Sequence, residues 1–270
     1  MLQDYRLLAS NDLELLEKQT LRMIVQALQQ YSREAREIFE TTLATSGTEV
    51  IVLAEDLTQY ALEVAEVYPI NKRFAGFIDY KRARWLPTGA GLFPQILLVD
   101  AKASKENNRD TLQASQLPMD ADFTTSAGTI VHLAAGVPPH MDIIAVDGAI
   151  LPAVTTSMFV HFYYRDLDND PAGRFRELMD IYILAIPHNL LKSIYNPNAT
   201  TTFFGQGKHS PALGETPRIR VYFPRLRAAC PWRLQQLSYA GSQNGFTSAR
   251  WRDIGVSGQE TNDPFLYLPR

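Results

Sequence analysis

Residues 96–99 are Ile-Leu-Leu-Val, apolar at four successive positions, and the run ends in Asp100-Ala101-Lys102. A strand with this pattern has no polar face to offer to water. It has to lie centrally in a sheet that is covered on both sides, with an acid at its end. The pattern therefore predicts a sheet covered on both faces and, with the helical stretches of the chain, an α/β fold. Side chains alternate along a strand, so Asp100 and Lys102 point the same way.

Just upstream, Phe77-Ile78-Asp79 reads as a second strand, and residues 74–105 together read as two strands and a loop. If they pair, Asp79 joins Asp100 and Lys102 at the mouth of the sheet. Two carboxylates suit Mg²⁺, a hard cation that keeps several waters and takes other ligands from phosphate. A lysine beside them can hold an attacking water or offset charge on phosphorus. Such a set suits metal-assisted phosphodiester hydrolysis. The competing reading is a solvated strand terminus, since an isolated Asp-x-Lys is common. Lys72, Arg73, Lys81, Arg82 and Arg84 crowd the same segment, where a polyanion would dock. Glu55, Glu63 and Glu66 are candidates for a third carboxylate, against the plainer reading as helix surface charge.

The chain has 270 residues, 46% of them hydrophobic, enough for one large domain with a proper core. The expected organisation is a single domain over 1–270. Its parts are a helical stretch over 1–70, the hairpin at 74–105 and a basic segment at 205–235. The net charge of −3 excludes a uniformly basic surface, so any nucleic-acid surface has to be local. Arg218, Arg220, Arg225, Arg227 and Arg233 form a tract with no acid between 218 and 233. Arg218 and Arg220 are two apart on a predicted strand, after a loop that carries Lys208. Arginine's fork matches the O6 and N7 acceptors of guanine. The alternative for the tract is an exposed, solvated strand edge.

Along the rest of the chain, the spacing predicts one long amphipathic helix over 11–45, capped by Asn11 and Glu14. An apolar run at 50–53 then leads into a helix ended by Pro69. Residues 107–117 read as helix or loop, 151–165 as a β-branched and aromatic strand, 172–182 as helix and IYILAIP (181–187) as a strand stopped by Pro187. Asp166 to Asp170 reads as an acidic turn. His161 lies within the aromatic strand and reads as a hydrogen-bonded core residue, with a general base as the alternative. His132, His140 and His188 lack paired ligand spacing. The single cysteine, Cys230, predicts buried packing and a reducing, cytoplasmic setting. No basic leader segment or apolar stretch of about 20 residues is present, which predicts no secretory signal and no membrane span.

IDYKRARWLP followed by PQILLVDAKAS resembles the PD-(D/E)xK nucleases, and in particular the type II restriction endonucleases among them. The resemblance extends through IVQALQQYS (24–32), VIVLAEDLTQYALEVAE (50–66), LPAVTTSMFVHFYYR (151–165), GKHSP (207–211), RIRVYF (218–223) and ACPWRLQ (229–235). Ile78 stands where the family's proline precedes the first acid. The resemblance implies a restriction-endonuclease-like fold, a mixed β-sheet core flanked by α-helices, and Mg²⁺-dependent cleavage of double-stranded DNA. It implies Asp79, Asp100 and the carbonyl of Ala101 as metal ligands and Lys102 as the catalytic lysine. It also implies base contacts from Lys208, Arg218 and Arg220. The implied target is GGCC, five unread base pairs, then GGCC, engaged by a homotetramer that holds two such sites. The same residues leave two alternatives open: a structure-specific or repair nuclease, and a DNA-binding protein without catalysis.

Overall fold

The computed structural model describes residues 8–44, 46–67, 83–86, 94–105, 111–113, 117–144, 148, 150–167, 170, 172, 174–207, 218–239 and 248–264. Three helices come first: α1 (Ser10–Gln30), α2 (Ser32–Thr41) and α3 (Gly47–Val64). Next come β1 (Ala83–Leu86), β2 (Gln95–Ser104), β3 (Thr111–Gln113), β4 (Ala121–Thr124), β5 (Ile130–Leu133), β6 (His140–Ile144), β7 (Ile150–Asp166) and β8 (Arg176–Ala185). The chain closes with a short helix α4 (Lys192–Tyr195), β9 (Phe204–Gln206), β10 (Arg218–Val221), α5 (Phe223–Ala229), β11 (Leu234–Ser238), β12 (Ser248–Ile254) and β13 (Glu260–Pro264).

The main sheet runs β1-β2-β7-β8-β11-β12-β13, with β6 alongside the first half of β7. Among the described residues only β2 and β7 run parallel, so the sheet is mixed, as the family resemblance implies, and the apolar run lies centrally in it, as its pattern predicts. Leu97, Val99 and Ala101 of β2 share a core with Val160 and Phe162 of β7 and with Leu53, Leu57 and Ala61 of α3. Phe39 of α2 stacks on Phe162, ring centroids 5.7 Å apart. Ile96 and Leu98, on the opposite face of β2, pack with Ala83, Val137, Met141 and Ala153 in a smaller cluster. Both faces of β2 are therefore covered. Gln95 anchors α1 to the sheet, its Nε2 donating to Thr20 Oγ1 at 2.9 Å and to Thr156 Oγ1 at 2.5 Å.

Several local expectations change. The long helix over 11–45 is two helices, broken at Tyr31. The Tyr31 ring meets Tyr60 of α3 edge-on at 5.6 Å, and the break redirects α2 so that Phe39 reaches the sheet. The apolar stripe continues through the break because both helices bury it, so periodicity alone does not reveal the break. Asn11 and Glu14 do not cap α1; Ala9 is its N-cap. The capping box forms instead at α3, between Ser46 and Glu49, where each backbone N–H donates to the other's side chain at 3.3 Å. Residues 50–53 belong to that helix rather than to a separate run.

The stretch 176–182, expected as helix, is part of β8. It pairs with β7 on one side and β11 on the other, and these two ladders outweigh its local preference. Asp170 forms the expected acidic turn before it. Its carboxylate accepts from the backbone N–H groups of Arg174 and Phe175 at 2.6 and 2.8 Å, which holds the carboxyl below its ordinary pKa. Residues 111–113, within the stretch expected as helix or loop, form β3 and pair with β10, which β9 flanks on the other side.

Candidate active site

The ten residues of β2 end at a charged pair. Asp100 is only 6% exposed, and Nζ of Lys102 lies 2.6 Å from its Oδ2. The alternation expected from sequence is what brings them together on the face opposite the helices. The parallel ladder places Phe159 beside Asp100, His161 beside Lys102 and Tyr163 beside Ser104. Tyr182 of β8 follows beyond His161. His161 is 3% exposed, with Nε2 2.8 Å from Ser104 Oγ. That burial and hydrogen bond support the core reading of this histidine. Ala101 points the other way, its side chain buried under the helices.

The expected strand at 77–79 lies outside the described residues, and the strand that pairs with β2 within them is β1. β1 runs antiparallel to β2, Ala83 opposite Leu98 and Leu86 opposite Gln95. Asp79 lies outside the described residues, as do Lys72, Arg73, Lys81 and Arg82. Arg84 does not serve a polyanion. It is buried and donates from Nη1 to the carbonyl of Val67. Desolvation pulls its pKa down, partly offset by the carboxylate of Glu63. Helix α3, which carries Glu55 and Glu63, packs on β2 from the side of Leu97 and Val99. Among the described residues, no three His, Cys, Asp or Glu side chains gather into a metal site.

The basic tract divides. In β10, Ile219 and Val221 are fully buried and Arg220 is half-buried. The backbone of Arg218 pairs with Gln113 and that of Arg220 with Thr111 and Gly205. Lys208 lies outside the described residues. Arg225 covers the Tyr222 ring at 4.5 Å, and Arg227 reaches Glu260 at 2.7 Å. Arg233 leaves the tract altogether. It is fully buried, bonded to Glu17 and sandwiched between Tyr195 and Trp232 at 4.4 and 4.3 Å. Cys230 is buried beside it, as expected, and desolvation raises its thiol pKa.

Residue-by-residue reading left Ser104 and Phe223 out of the site. Ser104 was legible: it continues the same-face alternation from Asp100 through Lys102. Phe223, which packs against His161 and Tyr182, carried no local signal.

A sequence profile described as type II restriction enzyme SfiI matches residues 35–237. The type II restriction enzyme SfiI of Streptomyces fimbriatus is 64% identical over 271 residues, spanning all of both chains. The chain belongs to the SfiI family of type II restriction enzymes. It is thus a hydrolase of the restriction endonuclease class. The crystal structure of tetrameric restriction endonuclease SfiI bound to cognate DNA superimposes with a TM-score of 0.88 at 63% identity over the whole of both chains. Restriction endonuclease BglI, bound to its DNA recognition sequence, gives 0.63 at 15% identity over 84% of this chain and 90% of that one. The second likeness shows a shared fold. Enzymes of this family generally use a divalent metal, and the site suits one: a hard carboxylate oxygen at Asp100 is held nearly dry beside the Ala101 carbonyl in the chain.

Proposed function

We propose that this chain cuts both strands of DNA at GGCC, five unread base pairs, GGCC, as a homotetramer holding two such sites, in the cytoplasm and with Mg²⁺. The observation that carries the reading is the Asp100–Lys102 pair at the end of the central strand, within a chain similar to SfiI over its full length. The overall shape match to a relative solved as a tetramer on cognate DNA supports the assembly and the partner.

Asp79, Asp100 and the carbonyl of Ala101 would hold the metal. Asp79, which lies outside the described residues, is assigned from the family resemblance despite the missing proline. When bound, the metal supplies Lewis-acid polarisation of the scissile phosphate. Lys102 orients the attacking water and offsets negative charge as it grows on the phosphoryl oxygens. Its ammonium starts within ion-pair distance of Asp100, so the position needs no long reorganisation. Phe159 and the buried His161 exclude bulk solvent from one side of the pair, which strengthens the electrostatic interactions there.

Recognition falls to Lys208, Arg218 and Arg220. β10 is a narrow strand pinned from below by Ile219 and Val221, a rigid mount for side chains that read guanine in the major groove. The acidic balance of the whole chain is compatible with this, because the contact surface is local. One endonuclease domain over 1–270 carries both tasks.

The test is digestion of a plasmid library of GC-rich inserts in Mg²⁺, followed by sequencing of the ends. The reading requires ends that fall within GGCC-N5-GGCC. Cleavage at branched or damaged DNA, indifferent to duplex sequence, would replace it with a repair nuclease. No cleavage of any DNA would leave a binding protein.

A further inference from the structure

His161 stands next to Lys102 across the parallel ladder. Its ring is held twice. Ser104 takes its Nε2 at 2.8 Å, and the Phe223 ring meets it at 85° with centroids 6.3 Å apart. Phe223 also packs on Tyr182, the neighbour of His161 on the other side, at 5.2 Å. Phe223 opens α5 and comes two residues after Val221, the end of β10. Phe223 is joined to β10 through Tyr222 alone, so a shift in how β10 is seated reaches Phe223 through one intervening residue.

A lysine side chain is a flexible four-carbon stem with a compact charge at its tip. Something rigid beside the stem has to restrict it if the ammonium is to be pre-positioned. His161 is that neighbour here. We propose that His161 is a positioning residue for Lys102, and that Phe223 couples it to the seating of the recognition strand β10 on DNA. The proposal rests on Lys102 serving the reaction. It adds a physical route by which a correctly read site improves the geometry of catalysis. A strand held badly on a wrong sequence tilts Phe223, loosens His161 and leaves the ammonium misplaced.

The experiment measures single-turnover cleavage in Mg²⁺ and equilibrium binding in Ca²⁺ on one cognate duplex, using the full chain. The variants are Ser104→Ala, His161→Gln, Phe223→Leu, Phe223→Ala and the double variant His161→Gln/Phe223→Ala. A misplaced catalytic group costs on the order of 10²-fold, so His161→Gln and Phe223→Ala should each slow cleavage by ~10- to 100-fold with Kd nearly unchanged. Phe223→Leu, which keeps an apolar contact, should recover much of the rate. The double variant should be little slower than either single, because both act through one lysine. Parental rates in the single variants would overturn the proposal. So would a loss of affinity that matches the loss of rate, or additive losses in the double variant. If Phe223→Ala does not fold, His161→Gln and Ser104→Ala carry the comparison: Ser104→Ala removes the bond to the His161 ring and should also slow cleavage by ~10-fold with Kd nearly unchanged, and a parental rate in both would overturn the proposal. Lys102→Ala is run in parallel. A parental rate there means that the role of the lysine has failed, whereas a dead Lys102→Ala with parental His161→Gln and Phe223 variants rejects the positioning residue alone.

Discussion

Nη2 of Arg233, a side chain with no solvent exposure, lies 2.7 Å from Oε2 of Glu17 on the first helix. The other oxygen of Glu17 accepts the backbone N–H of His188 at 2.8 Å. One carboxylate therefore ties α1 to two distant segments. Burial by itself would lower the pKa of the guanidinium, but Glu17 reverses the balance and pushes it upward. Removing Glu17 leaves the buried guanidinium with only the more distant carboxylate of Glu14, 3.6 Å away. Glu17→Ala should cost about 3–5 kcal/mol, read as a lower denaturant midpoint. A double replacement, Glu17→Leu/Arg233→Met, should lose less than the two single changes added together. A surface-like effect of Glu17→Ala, under about 1 kcal/mol, would show that the pair is not carrying the contact.

His188 gives a pH dependence. Its Nδ1 accepts from Leu190 N–H at 3.2 Å, and its Nε2 lies 2.8 Å from the Pro139 carbonyl. One ring nitrogen accepts and the other donates, which is the neutral form. Desolvation holds the folded pKa below the ordinary 6.5. The unfolded chain therefore takes up this proton first as pH falls. The stabilisation is whole above 6.5 and is lost on acidification from there toward the folded pKa. Melting temperatures should fall between pH 7 and pH 5, and His188→Asn should flatten that part of the curve. An unchanged slope in the variant would assign the effect to other groups.

Asp100→Asn keeps the shape of the strand end but removes the anionic donor. Lys102→Ala removes the ammonium that lies 2.6 Å from it. Each should lower single-turnover cleavage by ~10³-fold or more, while affinity for the specific duplex in Ca²⁺ stays close to parental. The same result is expected for Asp79→Ala. Near-parental cleavage by the Asp100 variant would remove the assignment of the site.

Arg220→Ala tests recognition. A bidentate guanine contact is worth ~1–3 kcal/mol of discrimination, so the variant should lose affinity for the specific site and keep its affinity for random duplex. Equal losses on both would place this side chain on phosphates. Arg233→Ala should behave differently, lowering stability rather than selectivity, although it belongs to the same basic tract in the sequence.

The fold was legible where a local pattern had only one way to be buried. The run before Asp100 could be nothing but a central strand, and 151–165 formed the expected strand. It was illegible where pairing partners lie far apart in the chain. Residues 176–182 and 111–113 became strands because β7, β11 and β10 offered them ladders. The site shows the same division. The shared face of Asp100 and Lys102 follows from strand geometry, whereas the presence of Phe223 against His161 does not follow from any spacing.

Residue order alone decided the central strand, the acid–lysine pair and the stripes that the helices bury, because period-2 and period-3.6 alternation are properties of a single segment. Packing decided how deeply each arginine is buried. Arg220 and Arg233 have the same chemistry and lie thirteen residues apart; one is half-buried on the middle strand of the small sheet, and the other is sealed beneath two aromatic rings by a glutamate from the first helix. Desolvation depends on neighbours brought in from elsewhere in the chain, and only the folded arrangement supplies them.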